Sequence, residues 1–114
     1  MHEAGLAQSI INVLLSHIEE KRITGKIQRV FLKIGQLNAV VPENMQFMFT
    51  TLSEGGALQG VELVIEEIAA RAKCGNCQTE FVLSEPVFWC PNCHAPNLTL
   101  LAGEELLIDS VEVE

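Results

Sequence analysis

The N-terminal part of the chain has the hydrophobic spacing of a helix, followed by that of a strand. Between residues 4 and 22 the apolar positions recur every three or four residues, at Leu6, Ile10, Val13, Leu14 and Ile18. Thr24 and Gly25 interrupt this spacing, and residues 26–37 then alternate, with one face formed by Val30, Leu32 and Ile34. A period near 3.6 is typical of an amphipathic helix, and a period of two is typical of a half-buried strand. We therefore predict a helix and then a strand.

The following stretch repeats this order of patterns. Pro42 suits the first turn of a helix, and the apolar positions after it have helical spacing, at Met45, Met48, Phe49 and Leu52. Gly55 and Gly56 end this second helix. Alternation of apolar and polar residues predicts a second strand over residues 61–69 and a third over residues 105–113.

These elements together predict an α+β fold with one insertion. Residues 1–70 are expected to form a small α/β domain with two helices and a three-stranded sheet, which the C-terminal strand of residues 99–114 completes. Residues 71–98 contain all four cysteines of the chain and are expected to form an inserted zinc-ribbon-like module. No linker rich in Pro or Ser separates the two parts.

The four cysteines occur as two matched pairs. Two residues separate Cys74 from Cys77, two residues separate Cys90 from Cys93, and twelve residues lie between the pairs. Each C-x2-C turn aims two thiolates at one point, so two such turns complete a tetrahedron around one metal ion. The pattern predicts a structural zinc site, because four thiolates leave no open coordination position for water or substrate.

Other interpretations of these cysteines are weaker. Iron in a rubredoxin-like site uses the same four ligands. Disulfides are disfavoured because the start of the chain does not resemble a secretory signal. The run from Cys90 to His94 matches the attachment motif of c-type haem, but haem would leave Cys74 and Cys77 without a role. Residues 71–98 are too few to bury a core, so we expect metal binding to supply most of their folding free energy, on the order of 10 kcal/mol.

Charge and composition exclude several functions. The net charge is −8, the sequence pI is about 4.8, and no Lys or Arg lies between Cys74 and Cys93. Nucleic-acid binding is therefore not expected, because phosphate backbones require a basic surface. The apolar runs are too short to span a membrane, which favours a cytoplasmic chain. The sequence has no phosphate-binding loop and no nucleophile paired with a base, so we expect a binding protein rather than an enzyme.

The first three residues have the chemistry of a chelator. His2 places an imidazole nitrogen beside the terminal amine and the intervening backbone amide, so that three nitrogens can form fused chelate rings around one ion. A planar set of nitrogen ligands suits Ni(II) or Cu(II). Glu3 can add an oxygen ligand or orient the histidine as an acceptor.

The chain resembles the HypA/HybF family of hydrogenase maturation proteins. The resemblance rests on the Met-His-Glu start, Ile34-Gly35 at the end of the first strand, the two C-x2-C turns and the Val-Glu-Val-Glu ending. It covers essentially the whole chain. It implies a nickel metallochaperone with nickel at the N-terminus of residues 1–70, held by His2, neighbouring backbone nitrogens and Glu3. It also implies a structural zinc held by Cys74, Cys77, Cys90 and Cys93.

The resemblance also implies partners and shows one departure. It implies delivery of nickel to the large subunit of [NiFe]-hydrogenase and a HypB-type GTPase that supplies nucleotide hydrolysis. Some members of the family place an acidic side chain before the second helix, where this chain has Val41, and Glu43 is the nearest acid. Two alternatives stay open, which are a zinc-ribbon adaptor with an inert N-terminus and nickel delivery to urease. The sequence leaves homodimerisation open.

Overall fold

The computed structural model describes residues 3–83 and 88–114. Within these residues the chain forms two α-helices, a short 3-10 turn over Gln36–Asn38 and six strands. In chain order, the helices and strands are α1 (Glu3–Lys21), β1 (Ile27–Gly35), α2 (Pro42–Ser53), β2 (Glu62–Ile68), β3 (Arg71–Cys74), β4 (Glu80–Val82), β5 (Leu98–Ala102) and β6 (Leu106–Val113). Both predicted helices and the three predicted strands are confirmed to within two residues at each end.

The first sheet has three strands in the order β2-β1-β6. Strand β1 runs parallel to β2 and antiparallel to β6. A parallel pair requires a crossover connection, and α2 provides it between β1 and β2. The C-terminal strand β6 therefore completes the first sheet, as the sequence predicts, and β1 lies at its centre.

One hydrophobic core lies between this sheet and the two helices. Strand β1 contributes alternate residues, because Val30 and Leu32 are buried whereas Arg29 is exposed. Helix α2 contributes Met45 and Phe49, both fully buried. The other buried members of the core are Leu6, Ala7, Ile10, Ile11, Leu14, Ile27, Ile34, Leu58, Val61 and Leu63. All of these residues precede the first cysteine in the sequence.

The second sheet carries the cysteines and has the antiparallel order β4-β3-β5. It includes residues 98–102, whereas we expected residues 99–114 to complete the first sheet. Two apolar runs, residues 100–102 and 106–108, lie on either side of Gly103, Glu104 and Glu105, and within each run the alternation is blurred. Gly103, with φ +123, turns the backbone between the two sheets. The division of the chain into domains itself remains a prediction.

The two sheets meet where β1 ends. The N–H of Gly35 donates to the carbonyl of Glu105 at 2.7 Å, and the N–H of Leu37 donates to the carbonyl of Gly103 at 2.9 Å. The N–H of Ala70, just before β3, donates to the side chain of Gln36 at 3.4 Å. The residues that precede and follow the second sheet are thus hydrogen-bonded to the end of β1 and to the turn after it. Neither α1 nor α2 has the combination of length and apolarity that crossing a bilayer requires.

Candidate metal centre

The first cysteine pair lies in a tight turn that follows β3. The backbone N–H groups of Asn76 and Cys77 donate to the Cys74 sulfur, at 3.3 and 3.4 Å. The turn closes through the N–H of Gln78, which donates to the Cys74 carbonyl at 3.0 Å. Gln78 has a φ of 67, and the N–H of Cys74 then donates to the Thr79 carbonyl at 2.9 Å. These two backbone amides act to lower the pKa of the Cys74 thiol, but burial and the neighbouring sulfurs of Cys93 and Cys77 outweigh them, so this pKa is raised above its ordinary value.

The second cysteine pair repeats this turn. The backbone N–H of Asn92 donates to the Cys90 sulfur at 3.4 Å. The N–H of His94 donates to the Cys90 carbonyl at 2.8 Å, and His94 has a φ of 65. The N–H of Cys90 donates to the Ala95 carbonyl at 2.9 Å. The two turns thus share these three backbone hydrogen bonds, as expected when each supplies half of one site.

The four predicted cysteines are brought together by these turns. The sulfurs of Cys74 and Cys93 are 3.5 Å apart, those of Cys77 and Cys90 are 3.6 Å apart, and all four lie within 4.8 Å of one another. Four sulfurs at about 2.3 Å from a tetrahedral zinc are separated by about 3.8 Å. Cys74 and Cys90 are buried and the other two are partly buried. The donor set and its spacing fit a closed zinc site.

The surroundings of two sulfurs favour the thiolate, which is the form that binds a metal. The side chain of Thr79 is the main cause that lowers the pKa of Cys77 to about 5, followed by the Thr79 backbone and the amide of Asn92. The amide of Asn76 is the main cause that lowers the pKa of Cys93, followed by the backbone of Ala95.

The role of the asparagines was not predicted from the sequence. The side-chain nitrogen of Asn76 lies 3.6 Å from the Cys93 sulfur, and that of Asn92 lies 3.6 Å from the Cys77 sulfur. Each amide therefore reaches the cysteine pair of the opposite turn. The one available signal was that both pairs read C-x-N-C, with asparagine in the same place.

Of the two N-terminal candidate residues, the structure describes only Glu3. His2 lies outside the described residues. Glu3 begins α1, and its carboxylate accepts a hydrogen bond of 3.3 Å from the N-H of Val41, the residue that precedes α2. Glu43 lies in the first turn of α2 and is exposed. The structure therefore joins Glu3 to the start of α2, and the acid Glu43 lies within the first turn of that helix.

A shallow cleft opens beside Glu3. Its volume is about 270 Å³, and it is lined by Glu3, Ala4, Asn44, Phe47 and Met48. Phe47 is exposed, whereas Met48 is partly buried against the core. At this cleft the beginning of α1 therefore lies beside one face of α2.

Comparison with known proteins identifies the family. A family model described as hydrogenase/urease nickel incorporation, metallochaperone, hypA matches residues 1–113. The chain belongs to the HypA family. It is 40% identical to a hydrogenase maturation factor HypA of Trichormus variabilis over 114 residues, which cover 100% of the chain and 96% of that protein. It is 36% identical to the factor of the same name from Geobacter sulfurreducens, over 100% of both chains.

Solved structures of the HypA family have the same fold. The structure of the Ni metallochaperone HypA from Helicobacter pylori matches with a TM-score of 0.68 and 26% identity, covering 99% of this chain and 97% of that one. A second HypA solution structure matches with a TM-score of 0.71 and 25% identity, covering 100% and 97%. The predicted α+β fold and the predicted family are confirmed. The chain is a nickel metallochaperone with a zinc site, and its role is to carry metal rather than to catalyse a reaction.

Proposed function

We propose that this chain binds Ni(II) at its N-terminus and delivers it to the large subunit of [NiFe]-hydrogenase. The observation that carries the proposal is the family match over residues 1–113, which includes the Met-His-Glu start. Relatives aligned over the whole chain are named hydrogenase maturation factors, which favours hydrogenase as the client. Urease is the second candidate, because the family description names both enzymes.

The proposed nickel ligands are nitrogens. The His2 imidazole, the terminal amine and the neighbouring backbone amides form a planar set that suits Ni(II). The residue next to His2 is fixed in place, because the carboxylate of Glu3 accepts a hydrogen bond from the N–H of Val41. This bond attaches the first turn of α1 to the start of α2. Glu3 can contribute a further ligand through its other carboxylate oxygen, since only Oε2 accepts the N–H of Val41. Glu43 is exposed and stays a secondary candidate for an oxygen ligand.

The proposed zinc ligands are Cys74, Cys77, Cys90 and Cys93. Their sulfurs lie within 4.8 Å of one another, and no further ligand is needed to complete a tetrahedron. Zinc at this position ties β3 to the turn that precedes β5. Its role is to hold the second sheet together, while the nickel that the chain carries is bound at the N-terminus.

A test of the nickel site uses untagged protein, because an N-terminal extension replaces the basic amine with a weak amide donor. We expect His2→Ala to lose most nickel binding in calorimetry, and an extension before Met1 to weaken it. His17→Ala is the matched control, because it also removes one imidazole, from an exposed position near the end of α1. Undiminished nickel binding by His2→Ala contradicts the proposed site and favours the zinc-ribbon adaptor.

The client and the partner need a test in cells. We propose that a HypB-type GTPase supplies nucleotide hydrolysis, because the sequence has no phosphate-binding loop. In a strain that lacks this protein, we expect hydrogenase activity to fall and to be restored by the wild type but not by His2→Ala. Measuring urease in the same strain separates the two clients. Loss of urease activity alone contradicts hydrogenase as the client.

A further inference from the structure

The two asparagines of the cysteine turns make a reciprocal set of contacts. Asn76 donates its backbone N–H to the sulfur of Cys74 at 3.3 Å and its side-chain amide to the sulfur of Cys93 at 3.6 Å. Each asparagine thus contacts one sulfur of its own turn and one sulfur of the opposite turn.

The second asparagine completes the set. Asn92 donates its backbone N–H to Cys90 at 3.4 Å and its side-chain amide to Cys77 at 3.6 Å. The same amide lies 3.4 Å from the hydroxyl oxygen of Thr79, which is 3.1 Å from the Cys77 sulfur. Two asparagines therefore contact all four sulfurs, and each sulfur receives a donor from one of them.

Packing does not account for these side chains. Asn76 and Asn92 are both exposed, and neither belongs to the hydrophobic core. An exposed asparagine usually gains little by adopting a single orientation, because water satisfies its amide equally well. Here both amides point at a sulfur across the site instead. Four thiolates around one Zn²⁺ leave a net charge of −2, and an N–H donor offsets part of that charge at the sulfur it reaches.

We propose that Asn76 and Asn92 are positioning residues that hold the two cysteine turns together and slow the release of zinc. The proposal rests on the four-cysteine zinc site proposed above. Zinc leaves when one turn moves away from the other, and that movement breaks the two crossed amide contacts. The asparagines therefore resist the opening motion, and they also make the sulfurs that they reach weaker nucleophiles.

The rate of zinc transfer to a chromophoric chelator tests whether the asparagines slow the release of zinc. We expect Asn76→Ala and Asn92→Ala each to transfer zinc about 10-fold faster than the wild type, which is the lower end for the loss of a partner that hydrogen-bonds to a metal ligand. The matched control is Asn12→Ala, since Asn12 is an exposed asparagine of α1 and its side chain accepts a hydrogen bond from Gln8 rather than contacting a cysteine turn. Its transfer rate should equal that of the wild type.

An isosteric variant separates hydrogen bonding from the filling of space. Asn76→Asp keeps the size of the side chain but places a carboxylate beside the Cys93 thiolate. We expect it to release zinc faster than Asn76→Ala, because like charges repel. Release by Asn76→Asp at the wild-type rate means that only the shape of the side chain matters, and this result overturns the proposal.

Alkylation of individual cysteines provides a readout that a general loss of stability does not reproduce. In the zinc-loaded protein, mass spectrometry should show that Asn76→Ala accelerates alkylation first at Cys93, and that Asn92→Ala accelerates it first at Cys77. Acceleration first at the cysteine of the same turn, or equally at all four, overturns the proposal.

Metal analysis of the wild type distinguishes a failure of the proposed zinc site from a failure of the proposed role of the asparagines. A wild type that contains no zinc contradicts the zinc site itself. A wild type that contains zinc, together with alanine variants that release it at the wild-type rate, contradicts only the role of the asparagines. We expect nickel binding to be equal in all of these variants, because the crossed asparagines lie far along the chain from His2.

Discussion

The start of α2 lacks a local side-chain cap but has a contact with α1 at its N-cap residue. Val41 occupies the N-cap position and has no side-chain hydrogen bond to offer. Ser, Thr, Asp or Asn is usual there, because its side chain accepts an otherwise unpaired N–H. Here the carboxylate of Glu3 lies next to the same helix start and accepts the N–H of Val41. A negative charge at this end is also favoured by the helix dipole. Glu3 thus couples the first turn of α1 to the start of α2.

The proposed nickel ligands predict a pH dependence. The imidazole of His2 and the terminal amine must both lose protons before they bind a metal, and their ordinary pKa values are about 6.5 and about 7.7. Protons compete with nickel, so affinity should fall as the pH falls through this range. Calorimetry of the untagged protein at several pH values measures the change. A flat affinity between neutral and mildly acidic pH shows that neither group is a ligand.

Ser53 predicts a stabilising substitution. It lies in the last turn of α2, only 5% exposed, and its hydroxyl has no hydrogen-bond partner within the described residues. A buried polar atom without a partner costs roughly 1–3 kcal/mol, and Ala is also a better helix former than Ser. We expect Ser53→Ala to raise the free energy of unfolding by about 1 kcal/mol in urea denaturation. A loss of stability would show that the hydroxyl is hydrogen-bonded in solution.

At the scale of helices and strands, the spacing of apolar residues along the sequence was enough to predict the first sheet. Strand β1 alternates because one face packs on the helices, and that alternation is visible in Val30, Leu32 and Ile34. Pro42 and Gly55 likewise mark where α2 begins and ends. These signals are local, so the sequence alone contains them.

The second sheet could not be found in the same way. Strands β3, β4 and β5 are three to five residues long, which is too short for a period to be recognised. The pairing of these strands depends on the two cysteine turns, which were predicted. The register between the strands is set by backbone contacts, and these cannot be recognised from residue types. The crossed amides of Asn76 and Asn92 were missed for the same reason, because they depend on how the turns face each other.

The junction between the sheets predicts a costly glycine substitution. A Cβ atom at Gly35 would lie 2.1 Å from the backbone carbonyl of Gly103. Neither neighbour can move freely, because the N–H of Gly35 and the N–H of Leu37 are hydrogen-bonded to the same segment. We expect Gly35→Ala to lower the free energy of unfolding by about 3 kcal/mol, at the upper end for overpacking.

Gly56 provides the control for this prediction. It lies in the turn after α2, and the nearest atom to a Cβ there is 3.6 Å away, an ordinary contact distance. Gly56→Ala should therefore change the free energy of unfolding by much less than Gly35→Ala in the same denaturation experiment. Equal effects of the two substitutions would show that the close approach of Gly35 to Gly103 is relieved by a movement of the backbone.

At the scale of the whole molecule, the burial of apolar side chains is uneven. The continuous core belongs entirely to the first sheet and its helices. Between Arg71 and Ala102, the buried residues of the described part are Ala72, Cys74 and Cys90. Two of these three are proposed zinc ligands. The second sheet therefore has almost no apolar burial of its own, and metal binding has to supply the free energy that a core would otherwise provide.

Removal of zinc should consequently unfold one part of the molecule and spare the other. A chelator should abolish hydrogen-exchange protection in β3, β4 and β5, because about 10 kcal/mol of metal binding is lost there. Protection in α1, α2 and β1 should persist, since their core contains no zinc ligand. The control is Cys77→Ala without chelator, which should give the same pattern as the chelated wild type. Protection of the second sheet that survives in both samples would show that its backbone pairing is stable without the metal.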